Sequence, residues 1–582
     1  MTSGINRARA RIRSLLPAGA DLDQIRRDPR RDLLAGLTVA IVALPLALGF
    51  GVSSGLGAEA GLATAVVAGA LAAVFGGSNL QVSGPTGAMT VVLVPIVGRY
   101  GPTGVLTVGV MAGVMLVALA ALRAGKYMQY VPAPVVEGFT LGIACVIGLQ
   151  QIPNALGVPK PDGDRVLVVT WRAVEEFAKA PDWTALAFAV GVAAVMLAGV
   201  RWRPTVPFSI VAVIAATIVA QAAGLDAAQP IGALPAGLPV PSLSFLDMGS
   251  LGTLLAPAVA VAALAALESL LSASVADGMT VGQKHDPDRE LFGQGLANIA
   301  APLFGGVPAT GAIARTAVNV RTGASSRLAA LTHAAVLAVI VFAAAPLVSK
   351  IPLAALAGVL LATAIRMVEV GSLRAMAKAT RSDAVILVLT AVATLALDLV
   401  YAVIIGLVVA GALALRAVAK QARLDQVPLD QGDHSAEEHA LLAEHIVAYR
   451  IDGPLFFAAA HRFLLELTEV ADVRVVILRM SRVSTMDATG ALVLKDAVEK
   501  LNRRGILVLA SGIRPGQRQV LDSVGALELL RDEGGEYATT PEAIRAARDH
   551  LENAGVLPAI PAPGTGRTPG PESGPKSEEA VR

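Results

Sequence analysis

The chain has 582 residues, of which 54% are hydrophobic and 16% are charged, and its mean hydropathy is +0.64. This composition excludes an ordinary soluble protein and indicates an α-helical polytopic membrane protein. The formal net charge of +2 is too small to suggest a nucleic-acid partner, and a single cysteine, Cys145, excludes a disulfide framework and a cysteine metal site.

Residues 1–30 are rich in arginine and have no apolar run, so they predict a cytoplasmic N-terminal segment without a cleavable signal peptide. Apolar runs of spanning character follow throughout residues 31–420, which we predict to be the transmembrane domain. There are fourteen such runs, at 33–50, 58–75, 85–98, 103–122, 133–150, 183–200, 205–223, 250–271, 290–304, 311–321, 328–347, 352–370, 382–399 and 400–416.

Three of these runs, 85–98, 290–304 and 311–321, are shorter than the roughly 20 residues that a helix needs to cross a bilayer. They predict broken or half helices. Lysine and arginine cluster at the ends of the even-numbered runs, as at Arg123 and Arg201, and are scarce at the other ends. The positive-inside rule therefore predicts that both termini are cytoplasmic.

After Lys420 the composition becomes charged, and strands alternate with amphipathic helices over residues 437–552. The pattern predicts a small α/β domain in which a strand ends at a turn at residues 452–454 and a helix follows. The tail at 553–582, rich in proline, glycine and serine, is predicted to be disordered.

Residues 71–90, LAAVFGGSNLQVSGPTGAMT, share a plan with residues 297–316, ANIAAPLFGGVPATGAIART. In each segment an apolar helix runs through Phe-Gly-Gly into an extended piece, and Thr-Gly-Ala then begins a new helix. The segments occupy corresponding places in the two halves of the chain, which predicts a seven-plus-seven inverted repeat with two half-helices.

The amides at a helix N-terminus lack intrahelical partners and attract anions. Two half-helices that meet at the midplane would form one pocket, with Thr86, Gly87 and Ala88 on one side and Gly311, Ala312 and Ile313 on the other. Arg315, one turn inside the second half-helix, would add positive charge near the anion. The alternative interpretation is that each Gly-Gly pair is only a tight turn and that Arg315 extends to an interface.

Glu268 is a second charge within an apolar run, where a carboxylate usually faces a cavity or a partner. Ser272 lies four residues later on the same helix face. The pair predicts a site for Na⁺ or for a transferred proton. An ion pair between Glu268 and Arg315 that fixes the repeat interface is the alternative.

The chain resembles the SulP anion-transporter family along nearly its whole length. The resemblance rests on QVSGPTGAMTVV, ALESLLSASVADGMTVGQKHDPDRELFGQGLANI, TGAIARTAVNVRTGA and a C-terminal region similar to a STAS domain. It implies a fourteen-segment core and gate arrangement, a homodimer in the bacterial plasma membrane, elevator-type transport and no cofactor beyond a coupling ion.

The resemblance also implies substrate-binding positions at Thr86, Gly87, Ala88, Ala312, Ile313 and Arg315, and a cation site at Glu268, Ser272, Gly311 and Ala312. The sequence departs from the family at two places. Leu46 replaces a glutamine of the plant and animal sulfate branch, and Glu268 replaces an aspartate of the bicarbonate branch. The substrate therefore stays open among sulfate, bicarbonate and C4-dicarboxylates, and the coupling ion between sodium and a proton.

The STAS-like region contains the loop MDATG, in which Thr489 occupies the place of a serine that is phosphorylated in bacterial anti-sigma antagonists. Phosphate at a helix N-terminus is physically favourable. The alternative is that Asp487 or Thr489 only caps the helix. The region is expected to bind cytoplasmic partners.

These observations predict a secondary active transporter of small anions, and they exclude an enzyme because no nucleophile and base, P-loop or metal-ligand cluster occurs at a plausible spacing. Two alternatives remain. The chain could be an anion channel or uncoupled exchanger, or a membrane-anchored sensor that acts through its STAS-like domain.

Overall fold

The computed structural model describes residues 14–163, 165–203, 206–224, 229–232, 234, 237–397, 399–420, 423–427, 444–457, 473–532 and 535–557. These residues form two compact units, which divide between Ala410 and Gly411. The first unit consists of α-helices and one pair of very short strands, whereas the second contains a six-stranded sheet.

The helices of the first unit follow the apolar runs of the sequence. In chain order they are α1 Gly19–Arg27, α2 Pro29–Ser53, α3 Ala58–Phe75, α4 Gly87–Ala121, α5 Ala133–Ala155, α6 Val166–Lys179, α7 Trp183–Trp202, α8 Phe208–Ala222, α9 Leu251–Met279, α10 Pro287–Leu303, α11 Ile313–Arg321, α12 Leu328–Ala343, α13 Ala345–Val348, α14 Leu353–Met367, α15 Val370–Ala379, α16 Arg381–Ala396 and α17 Leu399–Ala419. Among the described residues, eight helices are long and apolar enough to cross a membrane. The prediction of an α-helical polytopic membrane protein is confirmed.

α4 combines the runs predicted at 85–98 and 103–122. Its backbone leaves helical geometry at Gly101, where φ is 69°. Pro102 follows directly, and a proline inside a helix removes one backbone hydrogen bond. α4 therefore contains two helical segments that join at Gly101.

α6 was not predicted. The connection at 151–182 has mixed charge, and its helix is amphipathic, with only Val169 and Ala173 buried. A search for long apolar runs does not detect such a helix, because half of its surface is polar.

The strands β1 Ser83–Gly84 and β2 Thr310–Gly311 interrupt the helical unit at the two predicted breaks. α10 packs against both α3 and α4. Small residues permit this close approach, since a Cβ at Gly293 would lie 2.6 Å from the Cα of Gly76 and a Cβ at Gly113 would lie 2.7 Å from the carbonyl oxygen of Gly295. α10 therefore packs closely on α3 and on the second segment of α4, and the two predicted half-helices, α4 and α11, begin just after β1 and β2.

The second unit contains β3 Arg423–Val427, β4 Ile446–Leu455, β5 Val475–Arg479, β6 Val483–Met486, α18 Ala488–Arg503, β7 Leu507–Ser511, α19 Pro515–Ser523, α20 Ala526–Asp532, β8 Glu536–Tyr537 and α21 Thr540–Asn553. The strand order is β3-β4-β5-β7-β8, and β6 pairs with β4. β3 is antiparallel to β4, whereas the other pairs are parallel. The prediction of a small α/β domain is confirmed.

The turn predicted at residues 452–454 is wrong, because β4 continues through these residues to Leu455. Gly453 has φ of 90°, and the register of β4 against β6 shifts between Gly453 and Leu455. Pairing with β6 keeps the chain extended where Asp-Gly-Pro alone favours a turn. Most of the helix predicted after it and of the disordered tail lies outside the described residues.

Candidate functional site

Two short strands bring the starts of α4 and α11 together. β1 and β2 pair antiparallel, with Ser83 opposite Gly311. α4 begins at Gly87 and α11 at Ile313, each within a few residues of its strand. The first amides of each helix have no intrahelical partner and carry a partial positive charge. We call the strand pair and these two N-termini the crossing site.

The two helix N-termini of the crossing site are capped differently. The Thr86 hydroxyl accepts a hydrogen bond from the amide of Met89 at 3.3 Å and so caps α4. Ala312 precedes α11 and offers no side-chain cap, and its own amide donates to the Val82 carbonyl at 2.9 Å. Of the predicted substrate residues, Thr86, Gly87 and Ala88 lie at the first N-terminus and Ala312 and Ile313 at the second.

Arg315 extends from α11 to the backbone that leads into α4. Its side chain is 1% exposed, so it does not extend to an interface as the alternative interpretation required. Nη2 donates to the carbonyl of Pro85, and Nη1 lies nearest to Gly84 and has no hydrogen-bond partner among the described residues. The structure thus places a buried guanidinium with a free N–H beside both helix starts.

Glu268 lies on α9 and reaches the same site. The Thr86 hydroxyl donates to its carboxylate at 2.9 Å, and Thr310 lies beside this carboxylate. Within the described part of the chain Glu268 and Arg315 form no direct ion pair, so the two threonines take the place of that expected contact. As a whole residue, Glu268 is half-buried.

Two serines of α9 lie beside Glu268. The Ser269 hydroxyl accepts from the amide of Gly311 at 3.0 Å. The Ser272 hydroxyl lies 3.0 Å from that of Thr316 on α11, and the Thr316 oxygen also accepts from the amide of Val82. Ser272 therefore contacts α11 one turn away from Glu268, and Ser269, which the sequence analysis did not single out, is the serine that contacts a predicted site residue.

Glycine is required at both helix starts because the neighbouring atoms leave no room. A Cβ at Gly311 would collide with the side-chain amide of Gln81 and lie 3.1 Å from the Cα of Ser269. A Cβ at Gly87 would collide with the Ile147 side chain. These glycines allow side chains to pack directly against the backbone of the crossing site.

Sequence analysis missed three buried polar residues of α10, Glu290, Gln294 and Asn298. They recur at every fourth position of RELFGQGLANI, so they lie on one helix face. This spacing is visible in the sequence, but the residues that they contact are remote in the chain.

The predicted regulatory residues lie in the second unit and not at the crossing site. Asp487 caps α18, since its carboxylate accepts from the amide of Gly490 at 2.7 Å and from that of Phe457 at 3.1 Å. Thr489 is exposed in the first turn of α18. The capping role is thus assigned to Asp487, and phosphorylation of Thr489 stays a prediction.

Comparison with known proteins relates both units to described families. Residues 30–390 match the model of the sulfate permease family, and residues 440–543 match the STAS domain. Bacillus subtilis YvdB, which is named for sulfate transport, is 35% identical over 85% of this chain and 94% of its own length. The bicarbonate transporter BicA of Picosynechococcus is 31% identical over 81% of this chain and 87% of its own.

Two solved structures resemble the fold. The transmembrane domain of a cyanobacterial BicA has a TM-score of 0.58 and 32% identity, covering 66% of this chain and 97% of that domain. The murine Solute Carrier 26 family member A9 in its inward-facing state has a TM-score of 0.80 over 93% of this chain and 95% of that one. Its identity is 17%, so this likeness concerns the fold alone.

Proposed function

The chain belongs to the sulfate permease family of membrane transporters, and we propose that it is a secondary active transporter that binds a small oxyanion at the crossing site. The observation that carries this proposal is the buried Arg315, whose free Nη1 lies beside two paired helix N-termini. Backbone amides and a guanidinium together supply the donors that a carboxylate, bicarbonate or sulfate group needs.

The proposed substrate class follows from these donors. An oxyanion would accept from Arg315 Nη1 and from the first amides of α4 and α11. The two relatives are named for sulfate transport and for bicarbonate transport, and C4-dicarboxylates carry the same kind of acceptor. The donors recognise oxygen atoms with negative charge, and we propose this chemistry without choosing among the three anions.

The coupling ion would bind at Glu268. This carboxylate shares Thr86 with the start of α4, so protonation or cation binding at Glu268 changes a hydrogen bond of the anion site itself. Ala312 and the serines of α9 would complete the surroundings of the ion. Movement of the crossing site with its supporting helices, as in an elevator, would then expose anion and coupling ion to the other side of the plasma membrane.

We also propose that the protein forms a homodimer and that both of its termini are cytoplasmic. The STAS-like unit would lie in the cytoplasm and bind partners there. The STAS-like unit would act on transport through its own contacts, with Thr489 as a regulatory position. The regulatory role of Thr489 is supported by its exposure at a helix N-terminus, where an added phosphate is favourable.

Uptake by proteoliposomes tests the function. Purified full-length protein is reconstituted, and labelled sulfate, bicarbonate and fumarate are offered with a sodium gradient, a proton gradient or neither. We expect gradient-driven accumulation of at least one anion, and Glu268→Gln should abolish accumulation against a gradient. Flux that is insensitive to both gradients and to Glu268→Gln would instead indicate a channel or uncoupled exchanger.

A further inference from the structure

The three polar residues of α10 form a continuous line of contacts between this helix and both strands of the crossing site. Glu290 is 1% exposed, and Gln294 and Asn298 are fully buried. Buried polar side chains are costly unless they are hydrogen-bonded. Their contacts therefore indicate what they do.

Glu290 holds the segment that follows α3. Its Oε2 accepts from the amides of Gly77 at 2.8 Å and Ser78 at 3.0 Å, and its Oε1 accepts from the side-chain amides of Gln81 at 2.9 Å and Gln294 at 3.0 Å. Four N–H donors suit a carboxylate, which only accepts hydrogen bonds. The first break in the helices is thus attached to α10.

Gln294 extends this attachment to β1, because its Nε2 also donates to the Ser83 hydroxyl at 2.5 Å. Asn298 forms two hydrogen bonds with the backbone just before β2, as a residue of a neighbouring strand would. Its Oδ1 accepts from the amide of Ala309 at 2.8 Å, and its Nδ2 donates to the carbonyl of the same residue at 2.9 Å. One helix face therefore contacts β1 and the residue that directly precedes β2.

The first repeat lacks this arrangement. When Phe304 is placed on Phe75, the three polar residues of α10 coincide with Gly61, Ala65 and Gly69 of α3. α3 approaches the same strand by backbone proximity, since a Cβ at Gly69 would lie 3.3 Å from the Ser83 carbonyl oxygen. We call Glu290, Gln294 and Asn298 the polar line. It occurs on α10 and has no counterpart on α3, so it is not a consequence of the repeated fold.

The strand pair needs such support. β1 and β2 share only two residue pairs, and a short isolated two-stranded ribbon is marginally stable. We propose that α10 is the template that fixes the spacing of the two half-helix N-termini, with Gln294 as the positioning residue for β1 and Asn298 as that for β2. This inference rests on the proposed function, because the spacing matters for an anion that both N-termini bind.

The test compares Gln294→Leu, Ser83→Ala and the double variant in the full-length protein. We expect Gln294→Leu to raise the KM for labelled sulfate or bicarbonate in proteoliposomes about tenfold. Ser83→Ala should raise the KM in the wild-type background and have no further effect in the Gln294→Leu background, because both changes remove the same hydrogen bond.

Phe292→Ala is the matched control on α10. Phe292 packs edge-to-face on Phe75 with ring centroids 6.4 Å apart, and it lies off the polar line. Its loss should lower the thermal midpoint and leave the KM unchanged. Independent effects of Ser83→Ala and Gln294→Leu, or an unchanged KM in Gln294→Leu, would overturn the proposal.

Hydrogen exchange supplies a readout that needs no substrate. In detergent, Gln294→Leu should accelerate amide exchange in peptides that cover residues 80–90 and 307–316, whereas Phe292→Ala should not. If the wild-type protein transports none of sulfate, bicarbonate and fumarate, the proposed function fails, and exchange alone then decides the inference. Unchanged exchange in Gln294→Leu would refute it.

Discussion

The two charged side chains of the crossing site, Arg315 and Glu268, are linked through a backbone carbonyl and a hydroxyl group and not through a direct ion pair. Arg315 binds the Pro85 carbonyl, and Glu268 binds the Thr86 hydroxyl one residue further along the chain. The two charges therefore act on adjacent residues at the start of α4 without neutralising each other by direct contact. Because the guanidinium forms no ion pair with a carboxylate, it retains an N–H that can donate to a ligand.

The first prediction concerns the guanidinium. Arg315→Ala should lower kcat/KM for anion uptake by at least about tenfold, because it removes a buried charge and the donor to Pro85. Arg315→Lys should recover part of the loss, since lysine keeps the charge but not the fork. Arg321→Ala is the control, because Arg321 is exposed at the other end of α11. Equal losses in both alanine variants would contradict the assignment.

The second prediction concerns the space at Gly311. Gly311→Ala should destabilise the crossing site by about 1–3 kcal/mol, because its Cβ collides with the Gln81 amide. We expect a higher KM for uptake together with a lower thermal midpoint. Gly148→Ala is the control, since a Cβ at this position of α5 meets no atom within 4 Å. A wild-type KM in Gly311→Ala would refute the role of this close contact.

At the scale of elements, α1 connects parts of the first unit that are far apart in sequence. Asp21 forms ion pairs with Arg289 at 2.6 Å and with Arg327 at 3.3 Å. Gln24 accepts from the Asn79 side chain at 2.8 Å and donates to the Ser325 carbonyl at 2.8 Å. This short helix therefore attaches to the first turn of α10 and to the segments that precede α12 and β1.

The third prediction is a pH dependence of this attachment. Burial alone would raise the pKa of Asp21, but hydrogen bonds from Arg289 and the Ala18 amide and the charges of Arg327 and Arg289 outweigh it and lower the pKa. The stabilisation is then present above the ordinary pKa and lost as the pH falls through the lowered value, below about pH 4.

Asp21→Asn should lower the thermal midpoint by about 2 °C at pH 7. The difference from the wild type should shrink as the pH falls below about 4 and through the lowered pKa of the wild-type carboxylate. Asp23→Asn is the control, because Asp23 is exposed. A difference that does not shrink as the pH is lowered until the protein unfolds in acid would show that the charge of Asp21 is irrelevant.

Element boundaries could be predicted where the physics is local. Hydropathy indicated α3 and α9 because apolar runs end at polar or glycine residues, and the repeated Phe-Gly-Gly indicated the two breaks. The polar line of α10 was missed because its partners, such as Ser83 and Ala309, lie in segments that only the folded chain brings together. The extension of β4 past Gly453 was missed for the same reason, since pairing with β6 opposes the local preference for a turn.

At the scale of the whole molecule, the apolar unit and the α/β unit differ in what stabilises them. The first unit combines a large aliphatic core with close backbone approach at small residues between helices, whereas the second has its aliphatic core between a sheet and helices. The sequence distinguished the two units by composition. It did not reveal β3, which pairs with β4 from before the predicted start of the α/β domain.

The fourth prediction concerns orientation in the membrane. The distribution of Lys and Arg predicts that both termini lie in the cytoplasm. Fusion of a fluorescent protein after Arg582 should give fluorescence, and fusion of a periplasmic phosphatase at the same position should give no activity. A fusion to the connection between α2 and α3 should give the opposite result. A phosphatase that is active at the C-terminus would refute the orientation.

The strand pair of the crossing site is made of main-chain hydrogen bonds, which any amino acid except proline can supply. The side chains of Thr86 and Ile313 lie outside the two strands, so this backbone pairing does not depend on them. Selection for a new solute can therefore act on positions such as Thr86 or Ile313 while the scaffold persists. Mutant libraries at these two positions should therefore yield transporters with altered substrate specificity.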